Sequence, residues 1–532
     1  MDIYSSYRNK RRVLLCIIAV LLCLLFCRGI ELHLIKHMTN RIKFHALPVA
    51  ISVLYHQHPH DYTAIREVAL PFQGPEKAGK LIQTAIKQPI VNPNENYYWF
   101  ADDKGFADYI IAAFYIFGPH VMSMYAMWFL ILLGTTLLYI YSFGRSLSKL
   151  AFLCLIFLGV HVAISTLPLS GRQIASVFPM EAATIYEPRF FDVLAIISIF
   201  HMIFIAIRNN PFKWFKDGWP LVMQILLFMF LYHARSSLAW EIMAILAICS
   251  TTLIYRLYKN YQNRNRTSCR YRYQSAMITA GMMIILMAAL NIYKHQVYNP
   301  GYFSDMGART IWHNALMGFS YGYYHDPYLE KKYGLTGVND LNVAQVVIKF
   351  ARANGVCPHD IEKLEAQQLL NTLGNWGNAN WQNYEQCAKL LFYSIASENK
   401  LRMLYMYVLR NPMNALHTLY ISMTNSTWHV WLLGEGWNPL SILNLSFYFL
   451  ILWTSWTALC RVSKKLLIST SALFIFSFIP SIAFYSVILT MGGLFVSAAI
   501  MCYLVIQIIL YQCAYWMRHY KIGILNAAGS EL

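Results

Sequence analysis

Apolar blocks at about 13–30, 120–142, 151–168, 190–207, 219–234, 237–257, 274–292, 437–459, 466–487 and 489–511 are bounded by charged or turn residues. Most approach the roughly 20 residues that a helix needs to cross about 30 Å of hydrocarbon, where a helix satisfies its own backbone polar groups. The pattern predicts an all-α polytopic membrane protein with about ten transmembrane helices. Composition agrees, with 57% hydrophobic and only 13% charged residues and a mean hydropathy of +0.40. Disorder, a coiled coil, collagen and a disulfide-built secreted scaffold are excluded by the same balance. Arg8, Lys10, Arg11 and Arg12 precede the first block and place the N-terminus in the cytoplasm. That block is too long, and lacks the small-residue cleavage site, for a removed signal peptide.

Alternating from there, the cytoplasmic segments hold most of the excess Lys and Arg and only Asp2, Asp217 and Glu531 as acids, so nearly all of the net charge of +18 falls on one side. The basic balance is therefore an orientation signal. An anionic leaflet of the lipid bilayer is a sufficient partner for it, and nucleic acid is not needed. The resulting organisation is a tail and first span (1–30), a first external loop (31–118), spans two to seven (119–292), a second large external loop (293–436), and spans eight to ten with a cytoplasmic tail (437–532). Both large hydrophilic loops lie outside, so chemistry is expected there. Of 11 cysteines, only Cys357 and Cys387 lie in these loops. In an oxidising compartment they could bridge, and they could equally stay thiols. No Walker loop, GxSxG elbow or His/Cys metal spacing occurs.

Ionisable residues at the ends of membrane spans are costly to desolvate and so are favoured functional candidates. Asp102, Asp103 and Asp108 precede the second span in YYWFADDKGFADYIIAAFYIFGP. Adjacent carboxylates followed by glycine can supply a general base with an orienting or metal-binding neighbour, and Gly105 would let backbone approach a substrate closely. The same acids also read as an N-terminal cap stabilised by the helix dipole. Glu31, at the outer end of the first span, is the rival base. Glu187, Arg189 and Asp192 open the fourth span in YEPRFFD, as an ion pair or as an anion site; Arg235 and Glu241 flank the external turn HARSSLAWE. Arg189 and Arg235 suit a phosphate because a guanidinium fork holds one and stays charged, with Ser236 and Ser237 as hydroxyl donors or as caps of their own turn.

The later loop begins GARTIWHNALMGFSYGYYHDPYLEKKYG, with Arg309, Trp312, His313, Tyr321, His325 and Asp326 among aromatics that suit either sugar recognition or the loop's own core. Further on, ENKLRMLYMYVLRNPMNALHTLYISM spaces apolar residues helically around Arg402, Arg410 and His417, as in an interfacial amphipathic helix leading to the eighth span. Asn425 opens an acceptor sequon by pattern alone. His161 and His201 lie within spans and are expected to be buried and hydrogen-bonded.

A first external loop with acids before span two, short loops, then a large external loop before span eight resembles the C-type (GT-C) superfamily of membrane glycosyltransferases. The stretches DDKGFADYIIAAFYIFG and YVLRNPMNALHTL carry the likeness. The resemblance implies transfer of a sugar from a polyprenyl-phosphate donor to a glycan, lipid or protein acceptor, on the extracytoplasmic side of a bacterial inner (plasma) membrane. It implies a catalytic carboxylate in the first loop, here Asp102 or Asp103 with Glu31 in reserve, and a lipid-phosphate site to which Arg189, Arg235 and Arg309 are assigned. Glu187, Asp192, Ser236, Trp312 and His313 complete the substrate-binding candidates. Metal dependence varies across the superfamily, so a divalent cation is compatible with the site and not required by it. In many relatives the acidic pair directly follows span one, whereas here it precedes span two. An O-antigen ligase or polymerase type of lipid-pyrophosphate glycosyltransferase is the alternative enzyme, and a lipid or polysaccharide transporter is the non-enzymatic one. A transporter would show paired repeats and broken helices near the midplane.

Overall fold

The computed structural model describes residues 105–157 without 147, 191–262 without 209, 273–298, 311–320, 323–324, 326–336, 340–355, 357–366, 379–424 and 464–483. Short pieces at 46–55, 63–65, 82–84, 86–87 and 96–98, with isolated positions near both termini, complete it. The helices are α1 (Ala46–Tyr55), α2 (Gly105–Phe117), α3 (Val121–Phe143), α4 (Ser148–Phe157), α5 (Phe191–Ile207), α6 (Trp219–Ala234), α7 (Ala239–Gln262) and α8 (Gln274–Val297). They continue with α9 (Ile311–Ser320), α10 (Pro327–Tyr333), α11 (Asp340–Asn354), α12 (His359–Lys363), α13 (Ala379–Glu398), α14 (Lys400–Tyr405), α15 (Asn411–Thr424) and α16 (Lys464–Ala483). Two three-residue strands, Thr63–Ile65 and Asn96–Tyr98, pair antiparallel within the first loop.

Three helical segments, Met122–Phe143, Ser236–Lys259 and Gln274–Val297, are long and apolar enough to cross a bilayer, as expected of an integral membrane protein. The segments at 191–207, 219–234 and 464–483 are apolar helices of 17, 16 and 20 residues. The predicted blocks at 13–30, 437–459 and 489–511 lie almost wholly outside the described residues, as does the second half of 151–168.

From α5 to α8 successive helices alternate in direction, which the contacts at their ends fix. The Phe143 ring at the end of α3 lies 5.7 Å from that of Phe204 near the end of α5. Arg256, late in α7, donates at 2.6 Å to the carbonyl of Arg208, just past α5. Glu241 at the start of α7 lies beside Ser477 near the end of α16. The start of α8 reaches the Arg208 end through Ser275, and Tyr298 just past its end reaches His233 at the other. Helices α3, α5 and α7 therefore run one way, and α6, α8 and α16 the other.

Inside this bundle Gln224 joins three helices. Its amide nitrogen donates to the Thr135 carbonyl at 2.8 Å, its oxygen accepts from Ser198 at 2.6 Å, and it lies 3.4 Å from Nδ1 of His201. A polar side chain in an apolar bundle stabilises packing only when its hydrogen bonds are met, as here. His201 is buried and hydrogen-bonded as expected, whereas His161 lies outside the described residues.

At the Arg208 end, Asp217 sits in a π-helical turn, Trp214–Gly218, and accepts from Arg208 Nη2 at 2.7 Å and from the Lys213 amide at 2.9 Å. Burial works against ionisation of Asp217, but the Arg208 hydrogen bond, the Lys213 amide and the Arg208 charge hold its carboxyl below the usual aspartate value. Lys213, Lys216 and Arg256 share this end, which the sequence assigns to the cytoplasm.

Helices α9 to α14 build a second, smaller core around Leu316, Phe319, Val347, Tyr384 and Leu391. Its local signals are explicit in α10: Asp326 caps the N-terminus by accepting from the amides of Tyr328 and Leu329, Pro327 occupies the first turn, and Gly334 at φ 75° ends the helix. Cys357 and Cys387 are buried in this core and not bridged, and burial pushes the Cys357 thiol up.

Candidate active site

At the end of the bundle away from Arg208, four helices place polar side chains together. Helix α2 brings Asp108 in its first turn, and α6 brings His233 in its last. Gly118, at φ 83°, breaks the chain between α2 and α3, and Ser123 Oγ closes the turn by donating to the Gly118 carbonyl at 2.6 Å. Tyr109 then donates to the Met124 carbonyl at 2.7 Å and sets its ring 4.6 Å from that of Phe191, tilted by 56°. These contacts fold α2 back across the mouth of the bundle.

Nε2 of His233 lies 2.6 Å from Oδ2 of Asp108, and the Tyr298 hydroxyl lies 3.4 Å from the same nitrogen. The Asp108 side chain is 14% exposed and that of His233 only 5%. Asp108 is the slightly more accessible of the two. A carboxylate hydrogen-bonded to an imidazole is held in one orientation and can share a proton with it. Gly105 makes this contact possible. A Cβ there would lie 2.0 Å from the His233 carbonyl oxygen, so the glycine serves the approach of α2 to α6, where the sequence suggested approach to a substrate.

Arg235, two residues beyond His233, is buried, and its Nε donates to Ser237 Oγ at 2.9 Å. Ser236 and Ser237 lie in a 3₁₀ turn, Ser236–Leu238, and the Ser237 hydroxyl orients the guanidinium. Glu241 is fully buried at the start of α7, and Ser477 Oγ lies 3.4 Å from its Oε1. Among the described residues no three His, Cys, Asp or Glu side chains converge to hold a metal ion.

The other expected residues fall elsewhere. Asp102, Asp103, Glu31, Glu187, Arg189 and Arg309 lie outside the described residues, as do Tyr321, His325 and Asn425. Asp192 lies in the first turn of α5. Trp312 and His313 belong to the second unit: Nδ1 of His313 is 2.6 Å from the Tyr384 hydroxyl, and the Trp312 ring packs against Phe392 and Tyr393. Asp326 pairs with Arg402, and Arg402 lies over the Tyr328 ring.

No protein-family model, curated protein or solved structure matches the chain. The chemistry of this end rests on its own residues. His233 is the participant that sequence reasoning did not single out, although it stands at a predicted span end two residues before Arg235. Tyr298 and Ser477 carried no signal in the sequence.

The second unit holds its own buried carboxylate, Glu385, which accepts from the amides of Trp312 at 2.9 Å and His313 at 3.1 Å. It caps α9 from a different helix, α13. Burial raises its carboxyl above the usual glutamate value despite those amide bonds.

Proposed function

We propose that this chain is a membrane glycosyltransferase of the GT-C kind, moving a sugar from a polyprenyl-phosphate donor to an acceptor hydroxyl on the extracytoplasmic side. The observation that carries the reading is the Asp108–His233 hydrogen bond, at the same end of the bundle as Arg235. The acceptor oxygen would form its bond to the anomeric carbon as the bond from that carbon to the phosphate oxygen breaks. The acidic run Asp102, Asp103 and Asp108 supplies the base that takes the hydroxyl proton. Asp108, the member of that run among the described residues, has an imidazole beside it, and His233 would stabilise the proton once transferred. Arg235 meets the charge that grows on the departing lipid phosphate.

His233 and Arg235 standing on one turn also favour a second reading, the ligase or polymerase type that uses external His and Arg on lipid-pyrophosphate donors. The test is transfer by the purified full-length protein in lipid, with mono- and pyrophosphate-linked donors in parallel. Asp108→Asn and His233→Gln are expected to lower transfer by about 10²–10⁴ while the protein remains folded. Transfer from the pyrophosphate donor alone selects the second reading. Full activity in both variants, or no transfer from either donor by the wild type, overturns both.

A further inference from the structure

Helix α14, the π turn Met406–Arg410 and α15 form one continuous rod whose amphipathicity is reversed with respect to a helix in water. Its polar residues from Arg410 to Asn414 are buried. Arg410 is 1% exposed, and its Nε donates to the Tyr324 carbonyl at 2.7 Å while Nη1 donates to the Gly318 carbonyl and to Asn411 Oδ1, both at 3.1 Å. Asn414, also buried, accepts from the Tyr324 amide at 2.7 Å. The sequence pattern gave an interfacial amphipathic helix with Arg402, Arg410 and His417 among its apolar residues. Arg410 faces inward onto the Gly318 and Tyr324 carbonyls, the second of which also accepts from Asn414 Nδ2 at 3.3 Å, and burial lowers its guanidinium to about 10.

The outward face is apolar. Every exposed residue from 401 through 416 is aliphatic, Met or Tyr, with Leu401 at 79%, Leu404 at 59%, Val408 at 58% and Leu416 at 49% exposure. Elsewhere the unit exposes polar groups such as Gln345, Lys349 and Arg352 on α11 and Glu330 and Lys331 on α10, with apolar residues such as Ile311 and Tyr393 among them. What distinguishes the rod is that no exposed residue from 401 through 416 is charged. The rod is continuous with the bundle, because α15 packs on α16, whose outer surface exposes Ile468 and Ile475.

We propose that this rod lies in the acyl-chain region of the leaflet at the His233 end, fastening the second unit to the bilayer through the face running from Leu401 to Leu416. An aliphatic stripe in water would leave a contiguous apolar surface hydrated, whereas lipid chains need no hydrogen bonds from it. The absence of charge along the stripe suits hydrocarbon, and Lys400 at its beginning can reach toward the headgroups. The inference holds whether or not the chain transfers sugar.

The test places a nitroxide, carried on a non-natural residue, at Leu404, Val408 or Lys349 of the full-length protein in phosphatidylcholine and phosphatidylglycerol vesicles. All three side chains are exposed, so the packed interior is untouched. At 404 and 408 the ratio of oxygen to nickel-chelate accessibility should be severalfold higher than at 349, with depths of about 5–10 Å below the phosphates. Nickel access at 404 and 408 equal to that at 349 would overturn the proposal. So would exclusion of both reagents with spin–spin broadening that vanishes on dilution with unlabelled protein, which would assign the face to a second copy of the chain.

Discussion

The ring nitrogen of His233 and the carboxylate of Asp108, 125 positions apart in the chain, lie 2.6 Å from each other where α2 crosses the end of α6. That contact depends on a backbone without a side chain at Gly105. An added methyl would meet the His233 carbonyl oxygen at 2.0 Å and the ring Cδ2 at 2.7 Å. Gly105→Ala should therefore destabilise the protein by about 1–3 kcal/mol or more and separate Asp108 from His233. Gly134→Ala in α3 is the matched control, since nothing lies within 4 Å of its added Cβ and the helix gains about 1 kcal/mol. Thermal unfolding in detergent should shift down for the first and not for the second.

Arg235 is buried at the His233 end of the bundle, and its Nε donates to Ser237 Oγ at 2.9 Å. Arg235→Lys keeps the charge and removes the fork. Donor affinity is expected to fall by about 10- to 150-fold, the equivalent of a charge-assisted contact worth roughly 1.5–3 kcal/mol. Equilibrium binding of a polyprenyl-phosphate donor, read beside the melting temperature, checks this. Lower stability with binding intact would make Arg235 structural.

Glu385 gives the second unit a definite pH signature. Its folded carboxyl titrates above the usual 4.5, so the folded state binds more protons than the unfolded one between 4.5 and the raised value. Stability contributed by this group is full below 4.5 and is lost as pH rises through that window. Glu385→Gln should remove this decline. It should also lower stability by about 1–3 kcal/mol, because an amide nitrogen would replace one of the two oxygens that now accept from Trp312 and His313. Denaturation of the full-length protein across acidic pH, followed by a probe on α11, measures both.

Asp217 has the opposite sign. Arg208 and the Lys213 amide hold its carboxyl below 3.8, so its contribution is present above that value and lost as pH falls through the folded one. Asp217→Asn removes a charge partner of a half-buried arginine and is expected to cost about 3–5 kcal/mol at neutral pH, the range for breaking a buried pair, reduced by whatever solvent reaches Arg208. Thermal unfolding at neutral and at acidic pH should show the deficit shrinking in acid.

Several helices were legible in the chain because an apolar run is a local property. The blocks drawn at 190–207 and 219–234 coincide with α5 and α6 to within a residue, and the block from 274 opens α8 where Gln274 does. The caps of α10 were equally local, being Asp326, Pro327 and Gly334 in sequence order. The acidic run before the second span was visible too, but which acid meets an imidazole was not. That pairing depends on how far α2 folds back at Gly118, and no pattern within either segment encodes the distance to the other.

The sequence by itself determined that long apolar segments must be helical, because a segment crossing hydrocarbon has to satisfy its own backbone, and that the positive charge collects in the short loops between them. It also determined that the stretch from Lys400 has two unlike faces, since helical spacing separates Leu404 and Val408 from Arg410 and Asn414. Only the tertiary structure decided which face turns inward. Periodicity specifies an angle between side chains and not a direction in space. The direction was set by the carbonyls of Gly318 and Tyr324, some 90 residues earlier, which take their donors from Arg410.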